Sequence, residues 1–307
     1  MTEVKMSVDF CGITFQNPVT VASGTYGFGI EYNQFVDVTK IGGVMTKGLT
    51  IEPRRGNAGV RLQETPGGLL NCIGLENPGA EGFVRDYLPQ MVKELPPCQI
   101  IANIAGATLE DYARIAELLN RAEGICAFEV NISCPNVKNG GMAFGTEAKM
   151  AAQVCRTVKQ YTDKPVIMKL SPNVTDVVEI ALALEEAGAD ALSLINTLLG
   201  MSIDIKTQKP ALGNVMGGLS GPAVKPVGVR MVWQVAQKVG IPLIGMGGIT
   251  NWQDAVEYLL AGAALVTVGT ANFVNPMAPL EIAAGIEQYC RQCGISDVSQ
   301  LVGRAWK

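Results

Sequence analysis

The stretch "EEAGADALSLINT" at residues 185–197 closes an amphipathic segment, breaks at Gly188 and runs into a short apolar strand. The same order returns in "LLAGAALVTVGTA" at residues 259–271. A helix that stops at glycine and feeds a strand with little alternation is the unit of a parallel sheet covered on both faces. Working outward gives eight such apolar runs: "NPVTVASG" (17–24), "GGVMTKG" (42–48), "IIANIAG" (100–106), "AFEVNIS" (127–133), "PVIMKLS" (165–171), "ALSLINT" (191–197), "PLIGMGG" (242–248) and "LVTVGTA" (265–271). Each is followed by a helical pattern, as in "TLEDYARIAELLNRAEG" or "TDVVEIALALEEAGAD"; the latter opens at an N-cap Thr175 and stops at Gly188. Eight alternating units predict an α/β fold, a closed (β/α)8 TIM barrel. A doubly wound open sheet is the alternative, but no G-x-G-x-x-G follows the first strand.

Composition agrees with a barrel. The chain has 307 residues, 48% hydrophobic and only 17% charged, which suits one large core and a single domain over 1–307. A net charge of −4, without a Lys/Arg cluster, argues against a nucleic-acid surface. The opening "MTEVKMSVDF" has no signal-peptide apolar region, so a cytoplasmic protein is expected. Tyr258 to Leu280 carries no charge and is long enough to span a bilayer, but Gly262, Gly269, Asn272, Asn275, Pro276 and Pro279 interrupt it; no membrane span is predicted. The eight cysteines have no framework spacing and are expected to be reduced. Cys290 and Cys293 form a C-x-x-C without the other two ligands of a zinc site, so no metal centre is expected.

Two connections, at about residues 49–80 and 198–222, are longer than a barrel needs. Both follow strands and so belong to the C-terminal face, as lids or substrate walls. Polar residues gather on the same face. Ser23, Lys47, Asn103, Asn131 with Cys134, Lys169, Asn196 with Thr197, and Thr270 stand at or just past the ends of seven runs, and the remaining run ends in Gly247 and Gly248. Burying an unpaired charge costs several kcal/mol or more, so such residues predict convergence on a ligand. Lys169 in "VIMKLSPN" and Lys47 in "VMTKGLT" would face an anion, or Lys169 would serve as a Schiff-base amine. "GMGGITNWQD" and "VGTANF" follow the seventh and eighth strands, where barrels bind phosphate through backbone N–H groups. The asparagines at 71, 77, 103, 131, 136 and 196 carry donor and acceptor together, which suits a planar heterocycle with alternating C=O and N–H. Cys134 lies just past a strand in a chain with no histidine, so the usual imidazole route to an activated thiol is closed.

In order, "NISCPNVKNGG", "KLSPNVTD", "INT", "GGLSGPA", "IGMGGI" and "VGTA" resemble the class 1 dihydroorotate dehydrogenases, above all the B-type (NAD-dependent) catalytic subunit. The resemblance runs from the "MSVDFCGITFQNP" hairpin to the last barrel helix. Its "SCPN" loop is specific, because the membrane-associated class 2 enzymes carry serine there. It implies a barrel holding one FMN per chain, which oxidises (S)-dihydroorotate to orotate in pyrimidine (UMP) biosynthesis. Ser23, Lys47, Gly48, Asn103, Asn131, Lys169, Ile195, Gly221, Gly247, Gly248, Gly269 and Thr270 would then hold FMN. Lys47, Asn71, Cys72, Ile73, Gly74, Leu75, Asn131, Asn136, Asn196 and Thr197 would hold substrate, with Cys72 standing where a small or apolar residue is expected. Cys134 would be a general base taking the C5 proton, and Lys169 would stabilise negative charge at the flavin N1/O2 edge. A partner subunit with FAD and [2Fe–2S] would carry electrons to NAD+, in a heterotetramer of two catalytic and two electron-transfer chains. Alternatives are a fumarate-dependent A-type enzyme, a phosphosugar aldolase or isomerase using Lys169, and a noncatalytic flavin module.

Overall fold

The computed structural model describes residues 3–133 and 144–306. All eight apolar runs form strands: β1 (Val19–Val21), β2 (Gly43–Met45), β3 (Gln99–Ile104), β4 (Ile125–Asn131), β5 (Val166–Lys169), β6 (Ala191–Leu194), β7 (Leu243–Met246) and β8 (Leu265–Val268). They pair in parallel in chain order, and β8 closes on β1. Between and after them run α1 (Gly79–Asp86), α2 (Leu88–Glu94), α3 (Leu109–Asn120), α4 (Ala148–Lys159), α5 (Val177–Glu186), α6 (Lys225–Ala236), α7 (Trp252–Ala261), α8 (Ala271–Val274) and α9 (Ala278–Gln292). The two glycine-stopped units are geometrically alike. Gly188 (φ +92) and Gly262 (φ +125) both end a helix in a conformation that disfavours a Cβ, and the next residue's N–H reaches back to Leu184 or Tyr258.

Two expectations need correction. The N-cap of α5 is Asp176, whose carboxylate accepts from the N–H groups of Val178 and Glu179, not Thr175. The connection from β1 to β2 contains no α-helix, only a 3-10 turn at Val38–Lys40. The segment "GTYGFG" has Gly24, Gly27 and Gly29 at positive φ, which breaks a helical run. Its aromatics cover the barrel instead: Tyr26 stacks on Tyr32 at 3.8 Å, and Phe28 packs on Phe83 of α1 and on Tyr87.

Val8–Phe10 and Ile13–Phe15 form the N-terminal hairpin. The Cys11 thiol donates to the Asp190 carbonyl, and Gln99 Nε2 donates to the Thr14 carbonyl, so the hairpin lies against the strands' N-terminal ends. At the opposite end the two long connections meet. Leu198–Met201, Met216–Ser220, Gly68–Asn71 and Leu62–Thr65 form a four-stranded antiparallel sheet in that order. These walls are thus one paired cap, a pairing the loop reading did not include. No helix among the described residues is long and apolar enough to cross a membrane; the uncharged stretch divides into the end of α7, then β8, α8 and the start of α9.

Candidate active site

Strand register assembles the centre. Asn103 lies opposite Glu129 across β3 and β4, Asn131 opposite Lys169 across β4 and β5, and Ser193 opposite Lys169 across β5 and β6. Glu129 and Asn131, two residues apart on one strand, share its inward face. Lys169 is 5% exposed and Glu129 0%. The Lys169 ammonium lies 3.3 Å from Glu129 Oε2 and 3.4 Å from Ser23 Oγ. Glu129 also accepts from Asn103 Nδ2 and, at 2.8 Å, from Ser193 Oγ. A buried ion pair repays its desolvation only when further hydrogen bonds complete it, and here they do.

Asn103 Oδ1 is buried without a hydrogen-bond partner among the described residues. Gly48 lies beside it, where a Cβ would come within 3.0 Å of that oxygen and 3.2 Å of Leu75 Cδ2. An orphaned buried acceptor is costly unless something donates to it, so it marks a place for a ligand N–H. Asn131 uses its Oδ1 on the Ser133 N–H and on Asn196 Nδ2, at 3.1 and 3.2 Å. Asn196 in turn accepts from the Thr197 N–H. Ile195, just past β6, is held by its N–H to the Met246 carbonyl.

The glycine loops converge on one wall. A Cβ on Gly248 would strike the Lys225 nitrogen at 2.7 Å and the Gly221 carbonyl at 2.8 Å, so the two loops touch at backbone distance. Thr270 Oγ1 bonds Ser220 Oγ at 2.7 Å, drawing the start of α8 to the same place. At Gly269 a Cβ would meet only Ala22 Cβ, at 3.7 Å. Behind this wall the Tyr258 hydroxyl reaches the carbonyls of Met246 and Gly247 at 3.2 and 2.7 Å, and burial pushes its pKa up. The result is bare backbone of the kind that admits an anion.

The cap supplies the other side. Asn71 Nδ2 donates to the Gly218 carbonyl, and a Cβ on Gly218 would sit 2.0 Å from Thr197 Oγ1. Ile73 accepts from the Asn57 N–H, and Gly74 lies against Asn57, where a Cβ would come within 2.5 Å. Lys47 is half-buried; the bond from Arg61 first, and the charge of Lys47 second, hold the Glu76 carboxyl below the usual carboxylate range. The Cys72 thiol turns into the cap's apolar cluster with Leu70 and Leu212 and points at the Val60 carbonyl. Asn77, grouped above with the ring-binding asparagines, is spent within the loop. It accepts from the N–H groups of Thr50 and Gly79 and donates to Thr50 Oγ1 and the Leu75 carbonyl.

Cys134 and Asn136 lie outside the described residues. Burial pushes the thiol of Cys11 up to about 11, and those of Cys126 and Cys155 up to about 12, which unfits them as bases near neutrality. Cys290 and Cys293 lie at the C-terminal end of α9, beside the turn that leads to Asp297.

A family model described as dihydroorotate dehydrogenase matches residues 5–290 of this chain. The chain belongs to the dihydroorotate dehydrogenase family. Among its relatives, proteins from Desulforamulus reducens and Desulforudis audaxviator are each 56% identical over 303 residues, covering 99% of this chain and 99% and 98% of theirs. One from Geobacter metallireducens is 54% identical over 303 residues, 99% of both chains. All three are named dihydroorotate dehydrogenase B (NAD(+)), catalytic subunit. In this member of the dihydroorotate dehydrogenase family the sequence reading missed Glu129 and Ser193, which back Lys169, and Ser220, which ties the cap to Thr270. A lone acid inside "AFEVNIS" was the available signal for Glu129.

Proposed function

We propose that this chain, as one domain over residues 1–307, binds FMN and oxidises (S)-dihydroorotate to orotate, as the catalytic subunit of an NAD+-linked enzyme of pyrimidine biosynthesis. The observation that carries the proposal is the cation planted among the strand ends: Lys169, 5% exposed, with an unpartnered acceptor on Asn103 beside its counter-ion. The family and its B (NAD(+)) relatives support this reaction over the aldolase reading of Lys169, and the NAD+-linked over the fumarate-linked form.

The residues fit FMN. The orphaned Asn103 Oδ1 suits a ring N–H, Lys169 suits an electron-rich ring edge, and the glycines at 221, 247, 248 and 269 leave room for a phosphate. Ser23, Lys47, Gly48, Asn131, Ile195 and Thr270 complete the set in this proposal. FMN, when bound, supplies the acceptor for the hydride at C6 of dihydroorotate. Lys169 would supply positive charge to the electron-rich edge of the ring and so favour its reduced form. Lys47 pairs the substrate carboxylate as a point charge. Asn71, Asn136, Asn196 and Thr197 bind the substrate ring together with Asn131, whose Oδ1 is already committed, so that Nδ2 is its remaining donor group. The backbone of Cys72 to Leu75 lines the same wall. Cys134 takes the C5 proton as a thiolate, a route open to a chain without histidine. Electrons leave through a partner subunit carrying FAD and [2Fe–2S], two of each chain per assembly.

The test is anaerobic mixing of the FMN-loaded chain with dihydroorotate, followed by bleaching of the yellow flavin. We expect rapid bleaching, at least about a hundredfold slower reduction in Cys134→Ser at pH 7, and NAD+ turnover only with the partner added. A colourless parent, an unreactive flavin, or fumarate turnover by the lone chain would overturn the proposal.

A further inference from the structure

This inference rests on the FMN reading and deepens it. Glu129 is 0% exposed, yet its carboxylate accepts from three side chains: Asn103, Lys169 and Ser193. An unpaired carboxylate there would cost several kcal/mol, so its partners are constrained to face it. Two consequences follow for the barrel's polar end. Asn103 turns its NH2 toward Glu129, giving one amide hydrogen to the carboxylate and leaving its Oδ1 as an unpaired acceptor for a ligand. Lys169, shared between Glu129 and Ser23 Oγ, is kept inside the ring of strands rather than extended to water. A lysine has four rotatable bonds and no partner of its own choosing; the carboxylate selects one position for it.

We infer that Glu129 is a positioning residue for the flavin: acting through Lys169 and Asn103, it fixes where the cation stands and which end of the amide reads the ring. Its effect therefore falls unequally on the two oxidation states. Reduced flavin, with negative charge at its N1 edge, gains from a fixed cation, and oxidised flavin gains little.

The test compares FMN affinity in both oxidation states, by titration of oxidised FMN and by the flavin midpoint potential, in the parent and in Glu129→Gln. Glutamine keeps the shape and removes the charge. We expect binding of reduced FMN to weaken at least about tenfold more than that of oxidised FMN, lowering the two-electron potential by about 30 mV. In a Lys169→Met background the same substitution should not lower the potential, because the cation that Glu129 positions is gone and loss of a negative charge by itself favours the reduced, anionic flavin. If Glu129→Gln does not fold, Ser193→Ala removes one of the three bonds to Glu129 and should shift the ratio the same way by a smaller factor. An unchanged ratio in the foldable variant, or an equal shift without Lys169, overturns the role. A parent that takes up no FMN overturns the flavin reading itself, and this role with it.

Discussion

Asn77→Ala tests whether the cap is braced from within. The side chain is 6% exposed and makes four hydrogen bonds, at 3.2 and 2.8 Å to the N–H groups of Thr50 and Gly79 and at 2.8 and 2.7 Å to Thr50 Oγ1 and the Leu75 carbonyl. Alanine leaves the two N–H groups buried and unpaired, each costing about 1–3 kcal/mol. The Leu75 carbonyl belongs to a half-buried residue and can recruit water, and Thr50 Oγ1 keeps its bond to Glu52. The expected loss is thus about 3 kcal/mol, read as a lower urea midpoint at unchanged slope. Asn77→Asp retains the acceptor bonds to both N–H groups but not the donors, and should lose about half as much. Because Leu75 and Gly74 hang from this brace, KM for dihydroorotate should rise while flavin content stays at the parent level. A midpoint within about 0.5 kcal/mol of the parent would show that the brace carries no stability and refute the reasoning.

Two further outcomes follow from the same contacts. In Gly68→Ala the new Cβ would stand 1.9 Å from the Ser220 carbonyl and 3.2 Å from Gly221 Cα, so the two cap strands must part where they lead into the glycine wall. FMN titration should show at least about tenfold weaker binding with a far smaller effect on the barrel's melting temperature; unchanged affinity would refute it. Lys225 joins α6 to α7 through Asp254 and Glu257, each at 2.8 Å. Burial alone would raise the Asp254 carboxyl, but its bonds from Lys225 and Thr250 prevail and hold it below the usual range. The unfolded chain therefore takes up this proton first as acid is added, so the stabilisation is complete above about pH 4 and is lost below it. The cost of Lys225→Met, about 1–2 kcal/mol at pH 7, should shrink when unfolding is repeated in acid below pH 4. A cost independent of pH would remove the carboxylate from the account.

The strands were legible because burial on both faces leaves unbroken apolar runs, and their polar ends were legible because a charge buried at a strand end demands a partner or a ligand. Glu129 escaped for the converse reason: it sits inside a run rather than at its end. The cost argument applied to Lys169 applies equally to it, and would have paired the two. Asn77 and Asn103 are the same residue type, and only neighbours tell an amide spent on a loop from one whose oxygen has no partner among the described residues. The cap was hidden because its strands are four or five residues long, rich in glycine, and joined across distant parts of the chain. The β1–β2 connection defeated the helical expectation by backbone geometry at three glycines.

The cap also sets a schedule for synthesis. Gly68–Asn71 finds one neighbour at once, in Leu62–Thr65, but its other edge waits for Met216–Ser220; Asn71 and Gly218 are 147 positions apart. At ordinary elongation rates that interval is roughly 7–30 s. Throughout it the nascent hairpin presents an unpaired edge, the kind of surface on which chains mispair. Ribosome stalling anywhere in that interval would prolong the hazard, whereas release of residue 220 from the exit tunnel lets the edge be covered.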